Sequence, residues 1–213
     1  MKTIRYSFIF FLLLFSFSSL AQENDFQIWN TLNFKKKINK SFSTDIKYGV
    51  RYRENASIVS NQFFDLRLKY RQNKRWSYAL GYRSILDYSL SSKVNYKHRF
   101  YLDAYYSKKI KRYFLDIRNR FLNQTNSFSS KQVFRQKFKL SYNIRKTKLE
   151  PSVAIEMFYD FSSSFYKLRN SLALSYPLNK KIDFSLVYKT EHVFNAVEPI
   201  TLYIFEPKLS YRF

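Results

Sequence analysis

The chain has no cysteine and, in 213 residues, only two histidines and two glycines. Without cysteine there is neither a disulfide framework nor a thiolate metal site, and two histidines are too few for a His-rich one. With Gly49 and Gly81 as the only glycines, strand kinks must be made from other residues. Negative charge is scarce as well: 15 Asp and Glu stand against 38 Lys and Arg, a formal net charge of +23. No long apolar run follows the first 21 residues, so no spanning helix is expected.

Those first residues read as a secretory signal peptide. Lys2 and Arg5 form a basic start, Tyr6 to Phe17 is almost wholly apolar, and Ser19 and Ala21 offer small side chains where a signal peptidase cuts. The apolar stretch is too short for a membrane anchor, which needs about 20 residues. The expected organisation is a signal peptide over 1–21 and one β-barrel domain over 22–213. No Cys follows the expected cleavage site, which closes the lipoprotein route.

What remains combines low mean hydropathy and high net charge with 21% aromatic residues. Charge alone would suggest disorder or nucleic-acid binding, but a disordered chain does not carry so many rings. The two facts agree if apolar and charged residues alternate along strands. They do. Phe64, Leu66, Leu68 and Tyr70 interleave with Asp65, Arg67, Lys69 and Arg71, and Ile46, Tyr48, Val50 and Tyr52 with Asp45, Lys47 and Arg51. Successive strand side chains point to opposite faces, so each segment has one apolar and one charged face.

Eleven such segments can be counted. The apolar parity begins with Phe26, Ile28, Leu32 and Phe34 and includes Tyr166, Leu168 and Leu172 in the ninth. Most are long enough for a tilted strand crossing a bilayer, about 9–11 residues. Short basic turns (near 35–40, 72–74, 108–111, 145–148 and 177–180) alternate with polar connections expected to be longer (55–60, 84–93, 122–131, 161–165 and 192–200). That alternation is the pattern of an outer-membrane barrel, short turns at the periplasmic rim and longer loops outside. The expected fold is therefore all-β: an antiparallel up-and-down transmembrane β-barrel of 10–12 strands, ending on Tyr211, Arg212 and Phe213. A two-layer soluble sandwich would bury the same faces but would not need the rim asymmetry. An odd count of eleven leaves the meeting of the first and last strands open.

The apolar parity should face lipid. The other parity should fill the lumen with charge: Asp45, Arg51, Asp65, Arg67, Arg83, Arg99, Asp103, Asp116, Arg118, Arg120, Arg135, Glu156, Arg169 and Asp183. In a narrow barrel such charges must pair or stay hydrated, and cross-strand ladders filling the interior are favoured over a wide pore. If water passes, the basic excess predicts anion preference. Export and the spread of basic residues over every strand argue against DNA binding. The expected partners are outer-membrane lipids and lipopolysaccharide, and the barrel-insertion machinery through the strand ending in Phe213.

For catalysis the sequence offers little. No nucleophile elbow, phosphate loop or zinc-binding helix motif is present, and no cofactor is expected. A lipid-modifying triad at the outer rim would have to come from His98, His192, Glu191 and serines such as Ser91, Ser92 and Ser163. Rim histidines without a catalytic role are the plainer reading. The alternatives are thus a non-enzymatic barrel with a structural, narrow-channel or interaction role, and a lipid- or lipopolysaccharide-modifying barrel enzyme.

Several short elements resemble the domain of unknown function family 2490, a set of bacterial outer-membrane-barrel-like proteins. They are Gln27, Ile28 and Trp29; the run Arg51 to Glu54; Leu66 to Tyr70; Trp76; Gly81, Tyr82 and Arg83; His98, Arg99 and Phe100; and Arg118 to Phe121. The resemblance spans nearly all of the chain after the signal peptide. It implies location and fold, and no reaction, ligand or functional residue.

Overall fold

In the computed structural model, residues 24–90, 93–127, 129–194 and 200–213 are described; residues 1–21, expected to be a signal peptide, and Ser91 and Ser92 lie outside them. Eleven strands form one closed barrel: β1 (Asn24–Lys37), β2 (Phe42–Arg53), β3 (Ile58–Arg71), β4 (Trp76–Tyr88), β5 (Val94–Ile110), β6 (Tyr113–Thr125), β7 (Ser130–Tyr142), β8 (Glu150–Asp160), β9 (Ser164–Pro177), β10 (Ile182–Val193) and β11 (Ile200–Arg212). Consecutive strands pair antiparallel. The odd count is resolved at the seam, where β1 and β11 pair in parallel, Phe26 opposite Tyr203 and Phe34 opposite Tyr211. All eleven segments are in the wall, and the chain enters it at the rim opposite its C-terminus.

The barrel is inside-out relative to a soluble domain. Leu80, Phe100, Leu102, Val153 and Leu172 are each more than half exposed on the outer face, while Asp65, Asp103 and Glu156 are buried within. Such an apolar outer face belongs in lipid. Two polar residues on it find partners along the wall, which satisfies them where no water competes. Gln136 donates to Asn119 (2.9 Å), directly across the β6–β7 ladder, and Thr44 donates to the Arg67 carbonyl (3.1 Å).

Aromatic pairs mark both rims. On the C-terminal rim, Phe42 meets Tyr70 and Trp76 meets Tyr106, each with ring centroids 5.1 Å apart; Tyr113–Tyr142 and Tyr211–Phe213 follow at 4.9 Å. On the other rim lie Tyr159–Phe161 (5.5 Å) and Phe165–Phe194 (5.4 Å).

Three turns on the C-terminal rim share one construction. Asn39, Asn73 and Asn179 each accept two backbone N–H groups, from the residues two and three positions on, at 2.8–2.9 Å. Each is followed by a lysine, Lys40, Lys74 and Lys180. Asparagine closes these tight connections by accepting hydrogen bonds from the backbone just ahead of it, where glycine would serve through positive φ.

Two sequence expectations change. The connections on the other rim are not longer: β4 runs on to Tyr88 and β6 to Thr125, so residues assigned to loops extend the ladder. Tyr166 does not face lipid. The β8–β9 register shifts at Phe158/Tyr159, Tyr159 pairing with Phe165 and Phe158 with Lys167. That bulge turns Tyr166 inward, against the buried cluster of Tyr101, Leu122 and Val133.

Candidate functional site: the barrel interior

The inward faces of the strands meet in two linked ionic clusters. On the β2–β6 side, Arg67 donates to Asp45 through Nε (3.0 Å) and Nη2, and through Nη1 to the Tyr105 hydroxyl (2.8 Å). Tyr105 in turn donates to Asp103 (2.6 Å), which also takes a bidentate pair from Arg120 at 2.6 and 2.7 Å. Asp65 accepts from Arg83 (2.7 Å) and from Tyr101 (2.9 Å). Each carboxylate lies directly opposite its arginine on the adjacent strand, so register sets these three ion pairs, while Tyr101 reaches Asp65 across two strands.

On the β6–β11 side, Glu156 receives three guanidinium groups: Arg118, Arg135 (2.8 Å) and Arg169 (3.2 Å). Arg169 also binds Glu191, which takes Lys167 at 2.7 Å. Glu206 pairs with Lys189 and accepts from Thr31 (2.9 Å) across the seam.

Inward aromatics lie between these cations. The Arg51 guanidinium sits 3.8 Å from the centroid of Trp29, Arg83 lies 4.0 Å from Phe63, and Arg120 lies 3.7 Å from Tyr101. Arg135 and Arg169 flank Phe158 at 4.5 and 4.8 Å. Stacked guanidinium groups keep their charge while leaving donor edges free.

Between the clusters lies a cavity of about 410 Å³. Thirteen of its lining residues are Lys or Arg and two, Glu156 and Glu206, are acidic. Of the charged residues singled out from sequence, Arg51, Arg83, Arg99, Arg118, Arg120, Arg135, Glu156 and Arg169 line it. Arg99 donates to Gln124 (3.0 Å) and has no carboxylate partner among the described residues. Asp45, Asp65, Arg67 and Asp103 belong to the ladder beside it. Asp116 and Asp183 stand apart, bonded to Ser107 and to Arg212 (2.6 Å) nearer the C-terminal rim. Lys189, Glu206 and Lys208 were not singled out; their alternation with Leu186, Tyr188, Phe205 and Leu209 was the available signal.

The elements considered for a rim triad are not brought together. His98 bonds Tyr82 (2.7 Å) and His192 bonds Thr201 (3.1 Å). Glu191 points into the barrel, opposite its neighbour His192, and is held by two cations; Ser163 bonds Asp160 (3.1 Å).

The interior geometry and the alternation that produces it run through the whole chain, and so does the sequence match. The chain belongs to the DUF2490 family. That family is described as protein of unknown function, and it matches residues 26–199, as the short motifs suggested. Among solved structures, the DUF2490 barrel is similar to the NanC porin, with a TM-score of 0.55 and 11% identity over 83% of this chain and 93% of that one. It is also similar to a bacterial polysaccharide outer membrane secretin (TM-score 0.52, 10% identity, 79% of this chain and 63% of that one). A KdgM porin gives a TM-score of 0.48 at 14% identity, over 75% and 81% of the two chains. At these identities the likeness to the porin and the secretin is one of fold. No curated protein matches the sequence.

Proposed function

We propose that this DUF2490 protein is a non-enzymatic channel of the bacterial outer membrane, exported by its signal peptide, with a narrow, basic lumen that favours anions. One observation carries the reading. Of the thirteen cations around the central cavity, eight share six carboxylates, and Lys47, Arg51, Arg99, Lys137 and Lys208 have no carboxylate partner among the described residues. A lumen filled only for stability would pair its charges, because an unpaired buried cation is costly. An excess facing a hydrated cavity instead draws in mobile anions and repels cations. The porin-like fold supports the same reading.

The test is conductance in planar bilayers under a potassium chloride gradient. Wild-type protein should conduct with a reversal potential displaced toward that of chloride. Lys47→Glu combined with Lys208→Glu should move it toward the potassium value. A silent membrane, or cation preference in the wild type, would overturn the proposal.

A further inference from the structure

The interior charges do not exhaust the basic excess. The five turns on the C-terminal rim hold ten Lys and Arg, one to three in each, and no Asp or Glu. Among the described residues, the connections on the opposite rim hold one cation, Lys93, and one carboxylate, Glu54. All ten cations are exposed. The ion pair nearest this rim, Arg212 with Asp183, involves none of them.

We propose that this ring of cations binds the phosphate groups of anionic phospholipids in the leaflet that meets the C-terminal rim. Three features favour a lipid surface over a soluble polyanion. First, the cations lie just beyond the aromatic pairs Phe42–Tyr70, Trp76–Tyr106 and Tyr113–Tyr142, rings of the kind that sit at headgroup level. Second, the charge encircles the barrel, with a share in each of the five turns. A soluble polyanion calls for one continuous track, whereas a plane of phosphates meets every turn at once. Third, none of the ten has a carboxylate partner among the described residues, and like charges repel, so anions outside the chain must compensate them.

The local construction agrees. The three asparagine turns carry their lysine at the same position, beside Asn39, Asn73 and Asn179. In the other two turns Lys111 and Lys146 occupy left-handed backbone (φ 53° and 62°), where asparagine or glycine would be less strained. At one point on the ring a recess of about 350 Å³ has Lys36, Lys37, Lys40 and Arg71 beside Phe42 and Phe213. Cations beside apolar rings suit a phosphate headgroup and the start of its acyl chains.

The test compares lipid retained by the full barrel after reconstitution in vesicles of mixed phosphatidylcholine and phosphatidylglycerol. The barrel is extracted in mild detergent and its lipid quantified by mass spectrometry. Wild-type protein should retain phosphatidylglycerol several-fold above its share of the vesicle, and high salt should erase the excess. A variant carrying Lys40→Gln, Lys74→Gln, Lys111→Asn, Lys146→Asn and Lys180→Gln should return toward the vesicle ratio while keeping heat-modifiable gel mobility. Equal retention in variant and wild type, or an excess indifferent to salt, overturns the proposal. So does binding of soluble polyphosphate to the ring without phosphatidylglycerol enrichment. Should the variant fail to fold, the salt series on the wild-type barrel decides alone.

Discussion

Tyr101 lies over Gly81. The two face each other across the β4–β5 ladder, and a Cβ added at Gly81 would clash with the Tyr101 Cζ. Gly49 stands in the same relation to Phe63 across β2–β3. A chain with two glycines thus places each opposite an inward aromatic, which covers the bare backbone and gains room to fold flat. Flattened, Tyr101 reaches Asp65 with its hydroxyl, and Arg120 stacks on its face. The absence of one side chain organises three others.

Gly81→Ala should therefore destabilise the barrel by about 1–3 kcal/mol, the usual cost of overpacking. Denaturant unfolding in micelles measures it. The cost should shrink in a Tyr101→Ala background, because the clash is with that ring. An unchanged cost in the double variant would show that Gly81 matters for a reason other than Tyr101.

The salt bridges should differ sharply in worth. Arg120 and Asp103 are both buried, with side-chain exposures of 5% and 0%; Lys97 and Asp87 near the opposite rim keep 25% and 31%. Removing one member of the buried pair strands its partner, so Asp103→Asn should cost about 3–5 kcal/mol. Asp87→Asn should cost less than about 1 kcal/mol. Unfolding midpoints of the two variants, compared in one detergent, decide the matter. Similar losses would mean that lumen water screens Asp103 as well as bulk solvent screens Asp87.

Strict alternation made the wall legible: in β3, Phe64 to Tyr70 and Asp65 to Arg71 leave one assignment of faces only. Alternation fixes a strand's two faces but says nothing of its neighbours. The three-arginine grip on Glu156 depends on β6, β7 and β9 arriving at one height. The parallel seam depends on closure, a property of no single segment. Tyr166 was misread because one bulge reverses parity locally, and Phe158 and Tyr159 give no composition signal for it. The asparagine turns were readable in principle. Aligning the residues before Phe42, Trp76 and Ile182 brings Asn39–Lys40, Asn73–Lys74 and Asn179–Lys180 into register.

Those turns make their own prediction. Each asparagine side chain satisfies two backbone N–H groups that would otherwise rely on water. Replacing Asn39, Asn73 or Asn179 singly by Ala should cost about 1 kcal/mol each, read from unfolding midpoints. Asp, which keeps the accepting oxygen, should restore most of it. A loss in the Asp variants as large as in the Ala variants would point to the amide nitrogen instead.

The seam should be the loosest part of the wall. The β1–β11 ladder runs from Asn24 to Ile28, breaks at Trp29 and Asn30, and resumes at Thr31 opposite Lys208. Pro207 lies at the break, while its ladder to β10 is continuous through Leu186. The missing proline N–H thus falls on the β1 side. Inside, Thr31 donating to Glu206 bridges the gap, and at the end the Phe213 amide donates to the Lys35 carbonyl (3.0 Å). Hydrogen exchange on the micelle-bound barrel should show faster exchange for the Trp29 amide, which faces β11, than for Leu102 or Phe121, which sit in an unbroken antiparallel ladder. Thr31→Val, which removes the bridge, should widen the difference. Uniform protection around the barrel would mean that parallel closure and the proline break leave the seam as firm as the antiparallel wall.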